Sequence, residues 1–190
     1  MIDAKAMPHL ADIPRVQAER RPEDVAMWFE GRETTYSALE KTSNRIANGL
    51  IAAGVEPGAR VAYLGKNLDS YYEILFGAAK ARCAMTGLNN RLAAPELQFI
   101  LSDSDAPILF VSRDFYDVIA AIKDDCPALK TIIAIEGDNA DWPSYADWIA
   151  AQSSTPPGLT TVDDDDVIQL YTSGTTGRPK GVMLSNFNYR

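Results

Sequence analysis

DVIQLYTSGTTGRPKG, residues 166–181, changes character half-way along. Val167, Ile168, Leu170 and Tyr171 make a short apolar run with β-branched members, which reads as a strand. Residues 172–181 hold three glycines, one proline, two cations and four hydroxyl side chains. A strand that opens into so small-residued and donor-rich a loop places that loop at the strand's carboxyl end. In open α/β sheets that is where ligands bind.

Outward from this stretch the chain alternates strand and helix. Residues 25–30 and 34–36 flank Gly31-Arg32 and predict a hairpin. Ser37 is expected to cap the next helix, with Glu40 completing a capping box, and Leu39, Ser43, Ile46, Leu50 and Ala53 share one helical face. Gly54 supplies a left-handed helix end. Strands follow at 60–65, 84–88, 107–111 and 131–136. Helices are expected at 69–83, capped by Asp69, at 94–104, with Pro95 at the first position, and at 114–125 and 144–152. Residues 153–161, SSTPPGLTT, form a proline-broken connection.

Near-continuous apolar strands such as PILFV and TIIAI suit a sheet covered on both sides. The expected fold class is therefore α/β, a mainly parallel sheet with helices on both faces and right-handed crossovers. The expected organisation is an N-terminal arm over residues 1–23 and an α/β subdomain over 24–161. A strand, the loop and the start of a helix capped by Ser185 follow over 162–190.

Composition sets outer limits. The 190 residues carry a net charge of −8, which excludes bulk affinity for nucleic acid or an anionic membrane but not a small anion site with its own donors. Apolar runs fall far short of the roughly 20 residues of a spanning helix. No secretory leader is visible, and the lone cysteines Cys83 and Cys126 read as thiols in a reducing compartment, so a cytoplasmic address is expected. His9, the one histidine, reads as a surface residue, and no metal ligands are assigned. Asp163, Asp164, Asp165 and Asp166 read as a solvated acidic start to the strand.

The loop has the parts of a phosphate cradle. Gly174, Gly177 and Gly181 permit positive φ and close backbone approach to an anion. Thr172, Ser173, Thr175 and Thr176 offer hydroxyls, and Lys180 and Arg178 bring positive charge. It is not a Walker A loop: counted from Gly174, the second glycine position holds Pro179, and Gly181 stands where a Ser or Thr would ligate magnesium.

The stretch resembles the phosphate-binding signature of the adenylate-forming superfamily, which comprises acyl-CoA synthetases, peptide-synthetase adenylation domains and beetle luciferases. Residues 34–67 and 88–111 resemble the family's early helix–turn–strand and its next helix and strand, so the similarity runs from about Leu10 onward. SGTTG, residues 173–177, is typical of acyl-CoA synthetases; peptide-synthetase domains more often carry Ser where Thr175 stands. Two departures are Asn186, where many acyl-CoA synthetases have His, and Ala94, where a Ser or Thr cap is usual.

The resemblance implies ATP, Mg2+ and coenzyme A, and a small-molecule carboxylic acid as substrate. A carboxylate attacks the α-phosphorus of Mg-ATP, and coenzyme A then takes the acyl group. Thr172, Ser173, Gly174, Thr175, Thr176, Gly177, Lys180 and Gly181 would hold the triphosphate, with Lys180 and Thr175 acting on the reacting phosphates. It also implies that the 190 residues are an N-terminal portion, inactive alone and prone to self-association. Two other readings are a non-catalytic phosphate-binding or docking module and a portion of a different adenylating enzyme.

Overall fold

The computed structural model describes residues 7–137, 139, 141–172 and 179–189. The segment read as an arm contains a helix, α1 (Asp12–Arg20), which buries Pro14, Val16 and Gln17. The hairpin follows as β1 (Val25–Phe29) and β2 (Arg32–Thr35), paired antiparallel. Glu30 and Gly31 both have positive φ, 47° and 82°, which gives the turn a twist matching the strands.

Helix α2 (Tyr36–Ala52) is capped by Thr35, whose Oγ1 accepts from the Ala38 N–H at 3.2 Å. The expected cap at Ser37 is corrected: the strand ends two residues earlier, and the Thr35 hydroxyl is already in place. Glu40 makes no capping box. Its carboxylate meets Lys80 Nζ at 2.5 Å, and Asn44 bonds both groups. Burial lowers the Lys80 pKa while Glu40 pushes it back up. Leu39, Ser43, Ile46 and Leu50 are buried as the helical stripe predicts; Ala53 lies outside it. Gly54, at φ 73°, ends the helix.

Strand β3 (Arg60–Leu64), helix α3 (Asp69–Lys80), strand β4 (Ala84–Leu88), helix α4 (Ala94–Asp103) and strand β5 (Ile108–Val111) come next. Asp69 does not cap α3, because Leu68 holds that position; the Asp69 carboxylate instead meets Arg32 at 3.0 Å. Pro95 sits second in α4, and Glu96 reaches back to the Ala93 N–H at 2.9 Å. Helix α5 (Tyr116–Ile122), strand β6 (Thr131–Ala134) and helix α6 (Tyr145–Ala150) lead to β7 (Asp166–Thr172). Strand β8 (Lys180–Ser185), absent from the sequence reading, runs antiparallel to β7, and a 3-10 turn over Asn186–Tyr189 follows.

The main sheet has the order β6-β5-β3-β4-β7-β8, with β3 to β7 parallel. One face buries α2, α3 and Tyr145 of α6; the other buries α4 and α5 through Leu97, Ile100, Leu101 and Ile119. Glycines permit the closest approaches. A Cβ on Gly77 would stand 2.4 Å from Ile46 of α2, and one on Gly49 would stand 2.5 Å from the Trp148 ring. The proline-broken connection is strapped to α2. Asn44 bonds the Ser154 carbonyl, Arg45 the carbonyls of Ile149, Ala150 and Gln152, and Asn48 those of Ser153 and Thr155.

Glu73 of α3 accepts from the Tyr145 hydroxyl at 2.7 Å. Burial raises its pKa above the ordinary carboxylate value of 4.5, opposed by that hydrogen bond. The folded state thus holds this proton more tightly than the unfolded chain, and the group costs stability as pH rises above 4.5. Glu73→Gln keeps an acceptor for Tyr145 without the charge. Urea titration is expected to show it more stable than wild type at pH 7, with the gap closing as pH falls toward 4.5 and absent below it. A gap that does not change with pH contradicts this account.

Candidate functional site

The parallel strands β3, β4 and β7 end at one edge of the sheet. A cleft of about 330 Å³ opens there, lined among others by Tyr63, Tyr71, Asn89, Asn90, Leu170 and Tyr171. Its walls are fixed locally. Tyr63 donates to the Lys66 carbonyl at 2.8 Å, and Asn89 accepts from the Arg91 N–H at 3.0 Å. Burial pushes the Tyr63 hydroxyl well above its ordinary pKa, so it stays a donor.

The glycine-rich loop leaves this same edge. Thr172 ends β7, Lys180 begins β8, and the two are partners across the ladder, both exposed. The stretch therefore connects two antiparallel strands, β7 and β8. Ser173, Gly174, Thr175, Thr176, Gly177 and Arg178 lie outside the described residues. Of the sequence-predicted set the structure therefore brings together Thr172, Lys180 and Gly181.

Gly181 has a different reason from the one expected. It lies within extended β8 and has no positive φ. Its partner across the ladder is Tyr171, and a Cβ would fall 2.3 Å from Gln169 Nε2 and 3.2 Å from the Tyr171 ring. Close side-chain packing, not backbone handedness, calls for glycine there.

Beneath the loop a row of polar groups crosses the sheet. Arg60 Nε donates to Gln169 Oε1 at 2.7 Å, Gln169 Nε2 donates to the Tyr171 hydroxyl at 3.2 Å, and that hydroxyl donates to Asp103 of α4 at 2.6 Å. Burial first, then Asp103, pushes the Tyr171 pKa far up. Sequence reasoning missed this row. Its one trace was a glutamine in an otherwise apolar strand.

The opposite edge is a fastening point. His9 meets Thr161 at 2.7 Å and Asp163 at 2.9 Å, so the expected surface histidine is largely enclosed. Asp165 accepts a forked set of bonds from Arg82 at 2.8–3.1 Å, and Asp166 meets Arg60 at 3.4 Å. Asp163, Asp165 and Asp166 are thus paired rather than merely solvated. Among the described residues no His, Cys, Asp and Glu cluster suits a metal. Asn186 is buried here, accepting from the Leu10 N–H at 3.1 Å and donating to the Val162 carbonyl at 2.9 Å. The departure noted at position 186 is therefore a tie between the α1 segment and the β7–β8 pair, remote from the cleft.

The sequence matches the AMP-binding enzymes over residues 14–190, nearly its whole length. The chain belongs to that family. Among the curated AMP-binding relatives, it is 45% identical over 173 residues to the fatty acid–[acyl-carrier-protein] ligase ScoC of Streptomyces coeruleorubidus, covering 90% of this chain and 32% of that protein. It is 36% identical over 180 residues to the 3-oxocholest-4-en-26-oate–CoA ligase of Rhodococcus rhodochrous, covering 92% and 32%. The fold superposes on the anthranilate CoA ligase AuaEII solved with anthranoyl-AMP, with a TM-score of 0.90, 29% identity, and 99% of this chain against 37% of that one. It also superposes on a Mycobacterium tuberculosis fatty acyl CoA synthetase, with a TM-score of 0.85, 30% identity, and 95% against 35%. The chain spans about a third of the length of these relatives and matches their N-terminal portion.

Asn186→Ala would leave the Leu10 N–H without a partner and take from the Val162 carbonyl one of its two donors, the other being the Asp165 N–H. The expected loss is about 1–3 kcal/mol in urea unfolding. An unchanged midpoint would show that the tie carries no stability.

Proposed function

We propose that these 190 residues supply the triphosphate-binding part of an ATP-dependent acyl-activating ligase. The observation that carries this reading is the placement of Thr172 and Lys180. They face each other at the root of a Gly- and Thr-rich loop, on the carboxyl edge of a parallel sheet. Membership of the AMP-binding family supports it.

In this reading a substrate carboxylate oxygen attacks the α-phosphorus of Mg-ATP. The new bond is carboxyl oxygen to phosphorus; the bond broken joins that phosphorus to the bridging oxygen of the leaving pyrophosphate. The magnesium would be carried by the nucleotide phosphates, as is usual for an ion that keeps several waters and takes few protein ligands. Thr172, Ser173, Thr175 and Thr176 hold phosphate oxygens, while Gly174 and Gly177 let the backbone come close. Lys180 offsets the charge that gathers on pyrophosphate, and Thr175 orients it.

A thiolate then attacks the acyl carbon and AMP leaves. Coenzyme A is the thiol in this proposal. The 45% identical fatty acid–[acyl-carrier-protein] ligase favours a carrier-protein thiol as the second candidate. The net charge of −8 suits small-molecule partners rather than nucleic acid, and the buried free thiols Cys83 and Cys126 suit a reducing, cytoplasmic setting. Among the described residues no helix is long and apolar enough to cross a membrane.

In a ligase that contains this chain, Lys180→Ala is expected to slow single-turnover formation of acyl-AMP by roughly one to two decades. An unchanged rate rules out the charge-offsetting role. The 190 residues alone are expected to bind Mg-ATP without releasing pyrophosphate when given a carboxylic acid. Sustained acyl-AMP formation by them alone would show that the catalytic groups are all present.

A further inference from the structure

We infer that Tyr171 is a positioning residue, whose hydroxyl, held by Asp103, fixes the root of the phosphate loop. The inference rests on the loop reading just given. It comes from the row of groups below the loop rather than from the loop itself.

The geometry closes around one ladder step. Tyr171 and Gly181 are partners, next to the Thr172–Lys180 pair from which the loop springs. The side chain of Tyr171 is tied on one side to α4 by the 2.6 Å bond to Asp103. On the other side it receives the Gln169 amide, itself set by Arg60. Arg60 also reaches Asp166 of β7 and the Met183 sulfur of β8, so one guanidinium joins β3, β7 and β8. Gly181 leaves no room for slippage, because Gln169 and the Tyr171 ring occupy the space of a Cβ.

β8 has no strand on its outer side among the described residues, so its ladder with β7 and the side chains that brace it carry the spacing from Thr172 to Lys180. The raised pKa keeps the Tyr171 proton on the hydroxyl, so the bond to Asp103 persists at neutral and mildly alkaline pH. The alternative is that Tyr171 serves packing alone, since its ring touches the cluster around Leu97 and Leu101. Tyr171→Phe separates the two, keeping the ring and removing the hydroxyl.

The test uses the 190-residue protein, magnesium and inorganic tripolyphosphate, with affinity from calorimetry and amide hydrogen exchange as a second readout. Tyr171→Phe and Asp103→Ala are each expected to weaken tripolyphosphate binding about fivefold, the effect of one lost hydrogen bond. Both should speed exchange at Thr172 and Gly181 while β3 and β4 exchange as in wild type. Asp103→Asn keeps a carbonyl acceptor and should restore most of the affinity.

Wild-type affinity in Tyr171→Phe overturns the inference, as does an Asp103→Asn variant as weak as Asp103→Ala. If the wild-type protein does not bind tripolyphosphate, the phosphate-loop reading fails. Exchange then decides the anchor by itself: faster exchange at the loop root in Tyr171→Phe upholds it, and unchanged exchange overturns it.

Discussion

Everything at the candidate site depends on one constraint, the burial of β3 between β5 and β4. Ala62 and Leu64 are fully buried on one face, and Val61 and Tyr63 are buried on the other. A strand enclosed on both faces and paired on both edges fixes the sheet's direction. β4 and then β7 must line up with it in parallel, so their carboxyl ends open on the same side. The helices that cover the sheet come close enough only because Gly77 and Gly49 carry no side chain. The glycine-rich loop between β7 and β8 inherits its location from this packing. No residue of the loop has to bring it to the cleft.

The fold class was legible because its signals are local and repeated. Apolar strands such as residues 107–111 and 131–134, separated by helices with one apolar stripe, leave few alternatives. The helix caps were less legible. Thr35 and Ser37 are both good caps, and only the end of the hairpin decides between them. Strand β8 was missed because its exposed Val182 and Met183 show neither a clean alternation nor a continuous buried run. Pairing with β7 makes it a strand, and pairing partners are not written in local sequence. Helix α1 was passed over for a similar reason: it is stabilised by α2, which begins sixteen residues after α1 ends.

The site divides in the same way. The placement of Thr172, Lys180 and Gly181 around a loop at the end of a strand was readable, since the composition of the stretch changes sharply there. The reason for Gly181 was not, because it lies in side chains of a neighbouring strand. Nor was the row from Arg60 to Asp103, whose members are scattered over more than one hundred residues. Charge tells a related story. The net charge of −8 is not spread evenly against the proposed anion site: His9, Arg82 and Arg60 meet Asp163, Asp165 and Asp166 at the far edge of the sheet. The cation Lys180 stands at the opposite end of the same strand pair.

The most direct measurement is a titration of the isotopically labelled 190-residue protein with Mg-ATP and, separately, with AMP, followed by amide NMR. If the loop holds the outer phosphates, Mg-ATP should shift the amides of Thr172, Lys180 and Gly181 saturably, and AMP should leave them in place. Equal shifts with AMP, or shifts gathered away from the carboxyl edge of the sheet, would contradict the account.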